Sequence, residues 1–204
     1  MPVTAEMYHD GTYLAKNPTW GVEDSPSKAK FIIEIIKRNH LALDNICEIG
    51  YGAGQILRQL SLRMPQVRFT GYEVSRQAFE LCKKRESGRI TFHCRDLTCE
   101  NVYFDCLMCI DVLEHVPNYI RFIEALKPKA DYKIFHIQLD ISVVSVLRGH
   151  MMNERRKVGH LHYFTKDTAL ATLTDSGYEI IDQCYTTWFD AMQNSYQVPG
   201  FLYT

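Results

Sequence analysis

No apolar run in this 204-residue chain approaches the roughly 18 residues that a membrane-spanning helix needs. The amino-terminal stretch MPVTAEMYHDGTYLAK also lacks the apolar centre of a secretion leader, so a cytoplasmic location is the expectation. Excess charge of either sign is missing as well. The 23 Lys+Arg stand against 24 Asp+Glu, so no broad basic face offers itself to nucleic acid or to an anionic membrane, and neither is expected as a partner. Repeats and low-complexity segments are absent. With 46% hydrophobic and 23% charged residues, the composition excludes collagen-like and disordered classes, and the length suits one domain. Seven cysteines, an odd number placed mostly in apolar runs, do not make a disulfide framework. Cys106 and Cys109 spell C-x-x-C inside the apolar run Phe104–Ile110. A strand sends side chains three apart to opposite faces, so the pair is expected to pack rather than share a metal.

What the chain does have is a rhythm. A helix is expected over Ser25–Asn39, with Ser25 as N-cap, Pro26 first in the helix, and Ala29, Ile32, Ile33 and Ile36 on one stripe. The residues before it, 1–24, form an arm carrying Tyr8, Tyr13 and Trp20. Short apolar runs then alternate with amphipathic segments: Asn45–Ile49 and Gln55–Met64, Val67–Tyr72 and Ser75–Arg85, Ile90–Cys94, Phe104–Ile110 and Pro117–Leu126, Tyr132–Leu139. Repeated βα units of this kind predict an α/β fold, a doubly wound, Rossmann-like, mostly parallel sheet with helices on both faces, occupying residues 25–204. Ile141–Gly159 reads as irregular and long enough to be a substrate-side insertion. Lys166–Ser176 reads as a helix closed by Gly177, and Tyr178–Tyr185 as a further strand.

The most informative residues are Glu48-Ile49-Gly50-Tyr51-Gly52-Ala53-Gly54, directly after the first strand and before a helix. In an open parallel sheet ligands bind at that end of the strands, and glycines let a ligand lie against the main chain. The dinucleotide pattern G-x-G-x-x-G is not met, because the third glycine is Gly54 and position 55 is Gln. That counts against a nucleotide-dependent oxidoreductase. The next strand ends in Gly71-Tyr72-Glu73, a carboxylate able to accept hydrogen bonds from both hydroxyls of a ribose.

Five blocks together resemble the class I S-adenosylmethionine-dependent methyltransferases, specifically the small-molecule branch of the ubiquinone-biosynthesis type. They are ICEIGYGAG (Ile46–Gly54), GYE (Gly71–Glu73), CRDL (Cys94–Leu97), FDCLMCIDVLEHVPN (Phe104–Asn118) and HLHYFT (His160–Thr165). The resemblance implies S-adenosylmethionine as cofactor and a small-molecule methyl acceptor as partner. It implies that Glu48, Gly50, Gly52 and Gly54 lie along the methionine portion and ribose, that Glu73 holds the ribose hydroxyls, and that Asp96 accepts from the adenine amino group while Leu97 packs on the ring. Cys109, Ile110 and Asp111 would flank the amino acid and sulfonium. Tyr13 is the expected lid, its ring face attracting the sulfonium cation. A chain that keeps the cofactor pocket without turnover, as a sensor or partner subunit, is the alternative.

Methyl transfer asks mainly for an in-line nucleophile, and for a base only where the acceptor loses a proton. His115, His160 and His162 are the catalytic candidates, imidazole being suited to proton transfer near neutrality. A capping or packing role for His115 is weighed beside that. Asp111-x-x-Glu114-His115 has the spacing of a metal-bearing variant among relatives, but the same string occurs in metal-free ones, and no metal is assigned. Met151, Met152, Arg155, Arg156 and Lys157 are placed to line or gate the acceptor pocket, or to be a solvated face. For the family's last, antiparallel strand only Gln193–Thr204 remains, and Pro199 and Gly200 predict a short edge strand or none.

Overall fold

A computed structural model describes residues 6–8, 10–186 and 200–203. Its strands are β1 (Asn45–Ile49), β2 (Arg68–Tyr72), β3 (Ile90–His93), β4 (Phe104–Ile110), β5 (Ala130–Gln138), β6 (Gln183–Thr186) and β7 (Gly200–Tyr203). The helices are α1 (Thr12–Lys16), α2 (Ser25–Arg38), α3 (Gln55–Arg63), α4 (Arg76–Cys82), α5 (Tyr119–Leu126), α6 (Val143–Leu147), α7 (His150–Lys157) and α8 (Lys166–Asp175). One sheet takes all the strands in the order β3-β2-β1-β4-β5-β7-β6. The first five are parallel, and β7 runs antiparallel to both its neighbours.

The pleat sorts the central residues between two apolar layers. Ile46, Cys106, Met108 and Ile134 face Ala29, Ile32, Ile35 and Ile36 of α2 and Leu57 and Leu60 of α3. Cys47, Ile49, Leu107, Cys109, Phe135 and Ile137 share the other layer with Ile123 and Leu126 of α5 and Ala169 and Leu173 of α8. Each fully buried Ile or Leu contributes about 1.5–3 kcal/mol. Cys106 and Cys109 therefore sit on opposite faces, both wholly buried, as their spacing in a strand requires.

Helix starts follow local chemistry. Ser75 caps α4 by accepting from the Ala78 amide, Asn118 caps α5 through Arg121, and Thr165 and Thr168 form a reciprocal box at α8. Beyond α8, the Tyr178 amide returns to the Leu173 carbonyl as Gly177 turns the chain at φ +79°. Helix α2 starts one residue earlier than expected: Asp24 is its N-cap and Ser25 its first residue, because the turn Val22–Asp24 runs straight into it.

Three further expectations are corrected. Ile141–Gly159 is not irregular but holds α6, capped by Ser142 and Ser145, and α7, begun at Gly149 with φ +63°. Helix α6 buries no residue, so Val-Val-Ser-Val-Leu carries no periodic signal. The strand expected from Tyr178 begins only at Gln183. The last strand exists, and it lies between β5 and β6 rather than at an edge. It starts at Gly200. The remainder of the expected 193–204 strand lies outside the described residues. Among those described, no helix is long and apolar enough to cross a membrane.

Candidate active site

Where β1 ends, Gly50, Gly52 and Gly54 all adopt positive φ, between +53° and +72°. Gly52 is one of the positions where a side chain has no room. A β-carbon there would stand 2.6 Å from Trp20 Cδ1, so the arm's indole already lies against the bare main chain. The Gly52 amide donates to Glu73 Oε2 at 3.2 Å, joining the loop to the tip of β2. Glu73 Oε1 accepts from the Val74 and Ser75 amides at 2.8 and 2.9 Å. The carboxylate thus sits beside the glycine loop.

Beneath the loop lies a set of charges. Glu48 is buried, and its Oε2 has no hydrogen-bond partner among the described residues. Burial pushes its carboxyl up to about 8, helped by the Glu73 and Asp111 charges and opposed by Lys28. Asp111 sits at φ +54°, strained for a residue other than glycine. Its Oδ2 accepts from Lys28 Nζ at 2.6 Å, and its Oδ1 meets His136 Nδ1 in a close contact. His136 Nε2 continues to Thr186 Oγ1 at 2.8 Å, so one polar chain links α2, β4, β5 and β6. Burial alone would raise the Asp111 pKa, but the His136 and Lys28 charges hold it well below the usual carboxylate range. For Lys28, burial lowers and the Asp111 carboxylate raises, with a net rise.

Glu48 carries a testable pH dependence. Its folded pKa lies above its unfolded value, so the folded chain holds an extra proton and stability falls as pH rises from about 4.5 to about 8. Glu48→Gln removes that loss. Its melting temperature is expected to gain on the parent as pH rises through this window, and a constant difference in thermal scans would refute the buried neutral carboxyl.

On the side of β4 and β5, Glu114 is fully buried. Apart from its own backbone, its carboxylate has no partner among the described residues, and burial first, then Asp111, raises its pKa well above normal. One ligand atom from each of Glu114, His115 and His160 falls within 4.8 Å of the others. Asp111, tied to Lys28 and His136, is not in that group, which changes the metal-type string read from sequence. His115 Nδ1 lies 2.9 Å from Tyr8 Oη, and burial, then His160, pushes its pKa down to about 4. His160 Nδ1 is held by Asp140 Oδ2 at 2.9 Å. His162 is not brought in: its Nε2 bonds the Val116 carbonyl and its ring packs on Tyr119.

The arm closes over these groups. Tyr13 stands 4.7 Å from the Tyr8 ring and 4.6 Å from Trp20, and burial raises its hydroxyl to about 12. Asp96 is exposed and accepts from the Thr98 amide at 2.8 Å. Leu97, Cys109 and Ile110 belong to the core, with Leu97 and Cys109 fully enclosed. Sequence reasoning missed Lys28, His136 and Asp140. Asp140 follows β5 as Glu73 follows β2, and the rule that strand ends carry ligands would have found it. His136 stands as a polar residue within the apolar run of β5, which is itself a signal.

A family model described as a methyltransferase domain matches residues 24–183. The chain belongs to that family. Among curated proteins, this chain is 30% identical over 148 residues to the ubiquinone biosynthesis O-methyltransferase of Idiomarina loihiensis, a match covering 64% of this chain and 59% of the relative. It thus spans about three fifths of that relative's length. Among solved structures, magnesium protoporphyrin IX methyltransferase (ChlM) of Synechocystis PCC 6803 with bound SAH superposes with TM-score 0.66 at 16% identity, over 87% of this chain and 81% of that one. The plantazolicin methyltransferase BpumL, in complex with a pentazolic desmethylPZN analog and SAH, gives TM-score 0.68 at 15% identity over 98% and 93%. At such identities the likeness is one of fold, and the chain shares its architecture with both.

Proposed function

We propose that this methyltransferase moves a methyl group from S-adenosylmethionine to a small-molecule acceptor. The observation that supports the reading is the meeting of Glu73 with the Gly52 amide, a carboxylate able to accept from both ribose hydroxyls beside a side-chain-free loop. Bound S-adenosylmethionine supplies an activated methyl on sulfur and departs as S-adenosylhomocysteine. Glu73 takes the ribose hydroxyls, and Asp96 the adenine amino group. Lys28 faces the carboxylate of the methionine portion, while Glu48 and Asp111 face its ammonium. Tyr13 covers the sulfonium. His160, oriented by Asp140, takes the proton of an acceptor that must lose one, and His115 anchors the arm through Tyr8. Holding the acceptor in line is the larger share of the work.

The test is a screen of small-molecule extracts with methyl-labelled cofactor. Label in a small-molecule fraction is expected, and label confined to protein or nucleic acid would overturn the acceptor class. Glu73→Ala is expected to weaken S-adenosylhomocysteine binding about tenfold or more, two hydrogen bonds to a charged group being lost. Unchanged calorimetric affinity would remove Glu73 from the ribose site.

A second reading, a divalent cation at Glu114, His115 and His160, is favoured by the buried Glu114 oxygens, which among the described residues lack a partner outside their own backbone. A carboxylate with two imidazoles suits such an ion. Equilibrium dialysis of the chelated protein against zinc or magnesium separates the two readings, because only the second requires one ion per chain.

A further inference from the structure

Position 133 breaks the pattern of its layer. Lys133 pairs with Leu107 across the parallel ladder, and Phe135 follows it on the same face, both buried in the apolar layer shared with α5 and α8. A lysine thus stands where that period calls for an aliphatic side chain, and it is only 9% exposed. It lines an open cleft of about 310 Å³ at the start of β5, the opposite end of the sheet from the glycine loop. A long apolar stem lets a lysine occupy such a place while its ammonium reaches the opening.

A second ammonium shares the cleft. Lys127 Nζ and Lys133 Nζ stand 5.8 and 6.0 Å from the centre of one ring, that of Tyr178. Lys127 Nζ donates to the Ser176 carbonyl at 3.2 Å and lies against the bare main chain of Gly177, where a β-carbon would stand 2.6 Å from it. Lys133 Nζ donates to the Ala130 carbonyl in a close contact. Among the described residues these carbonyls are their hydrogen-bond acceptors, and neither lysine makes an ion pair. Two carboxylates also line the cleft, but Asp131 accepts from the Tyr103 hydroxyl at 2.5 Å and Glu179 is exposed. Burial lowers the Lys133 pKa, and the Lys127 charge adds to the fall while Asp131 opposes it.

We propose that this cleft binds a phosphate-sized oxyanion between the Lys127 and Lys133 ammonium groups. A buried charge is costly without a counterion, and a ring face is a weak substitute for one. Each ammonium has three donors and spends one on a carbonyl, so two from each lysine remain for a tetrahedral anion with several acceptor oxygens. Asp131 and Glu179 in the same lining favour a compact anion over an extended polyanion, in keeping with the balanced charge of the chain. The anion is either free phosphate or the end of a phosphate monoester, and both use the same two lysines. This site lies apart from the glycine loop and is independent of the proposed methyl transfer.

The test is calorimetric titration of the full chain with inorganic phosphate, and separately with glycerol phosphate, in phosphate-free buffer whose ionic strength is held constant with chloride. One saturable site per chain is expected. Tighter binding of the ester assigns the site to the end of a larger molecule, and tighter binding of inorganic phosphate assigns it to the free ion. Lys127→Met and Lys133→Met are each expected to weaken binding about tenfold or more, a charge-assisted bond being lost. Lys84→Met, an exposed lysine that does not line the cleft, is expected to leave it within about twofold. Because Lys127 is exposed, its variant keeps the test decisive even where Lys133→Met fails to fold. No saturable heat, binding that Lys127→Met leaves unchanged, or an equal loss in Lys84→Met would overturn the proposal.

Discussion

Alanine at His160 is expected to lower turnover by about 10²–10⁴-fold, the span for loss of a positioned proton acceptor, while S-adenosylhomocysteine affinity stays within about twofold. Asp140 on Nδ1 fixes which nitrogen carries the proton and leaves Nε2 to accept one. His115 does not replace it, because burial and His160 press its pKa to about 4 and Tyr8 lies against its Nδ1. Single-turnover rates with labelled cofactor read the loss directly. A variant that binds cofactor poorly yet turns over at the parental rate would move His160 out of the proton path. Asp140→Asn should reproduce part of the loss by turning the ring, and a shifted pH–rate profile distinguishes that from simple unfolding.

Asp111→Ala is expected to cost about 2–4 kcal/mol of folding stability, somewhat below the value for a fully buried pair because both partners keep some exposure. The Lys28 and Asp111 side chains are 20% and 17% exposed. Without the carboxylate, the ion pair left to Lys28 among the described residues is with Asp24, 3.8 Å away, and His136 keeps Thr186. Removing both ions together, as Lys28→Met/Asp111→Leu, should recover much of the loss, since the Lys28 ammonium is then no longer left without its nearest carboxylate. Chemical denaturation of the two variants measures the difference. Equal destabilisation would show that Asp111 acts through the backbone geometry of its positive φ instead. Its depressed pKa adds a sign: the pair's stabilisation is present above the ordinary carboxylate range and is lost as pH falls below it.

Much of this architecture was legible before any coordinates. Alternation in Ile46–Ile49 and Phe104–Ile110 set the two faces of the sheet, and Gly50, Gly52, Gly54 and Glu73, singled out from spacing alone, do come together at one end of it. These signals are local, carried by residues whose type and spacing already contain the geometry. Lys28, His136 and Thr186 meet only through tertiary contact across four elements, and nothing in their neighbours announces it. Helix α6 escaped because a helix that buries none of its residues has no buried stripe to impose a period on its sequence. The place of β7 escaped for a related reason. Strand order is a property of pairing, and a Pro-Gly start argued only about the first rungs.

That β7 lies inside the sheet bears on how the chain reaches its native state. About sixty residues separate the end of β5 from the strand that pairs with it, so this part of the sheet has high contact order and is expected to form late. During synthesis β5 emerges from the ribosome well before its partner, and for that interval its free edge is the place where a nascent chain is most exposed to pairing with a stranger.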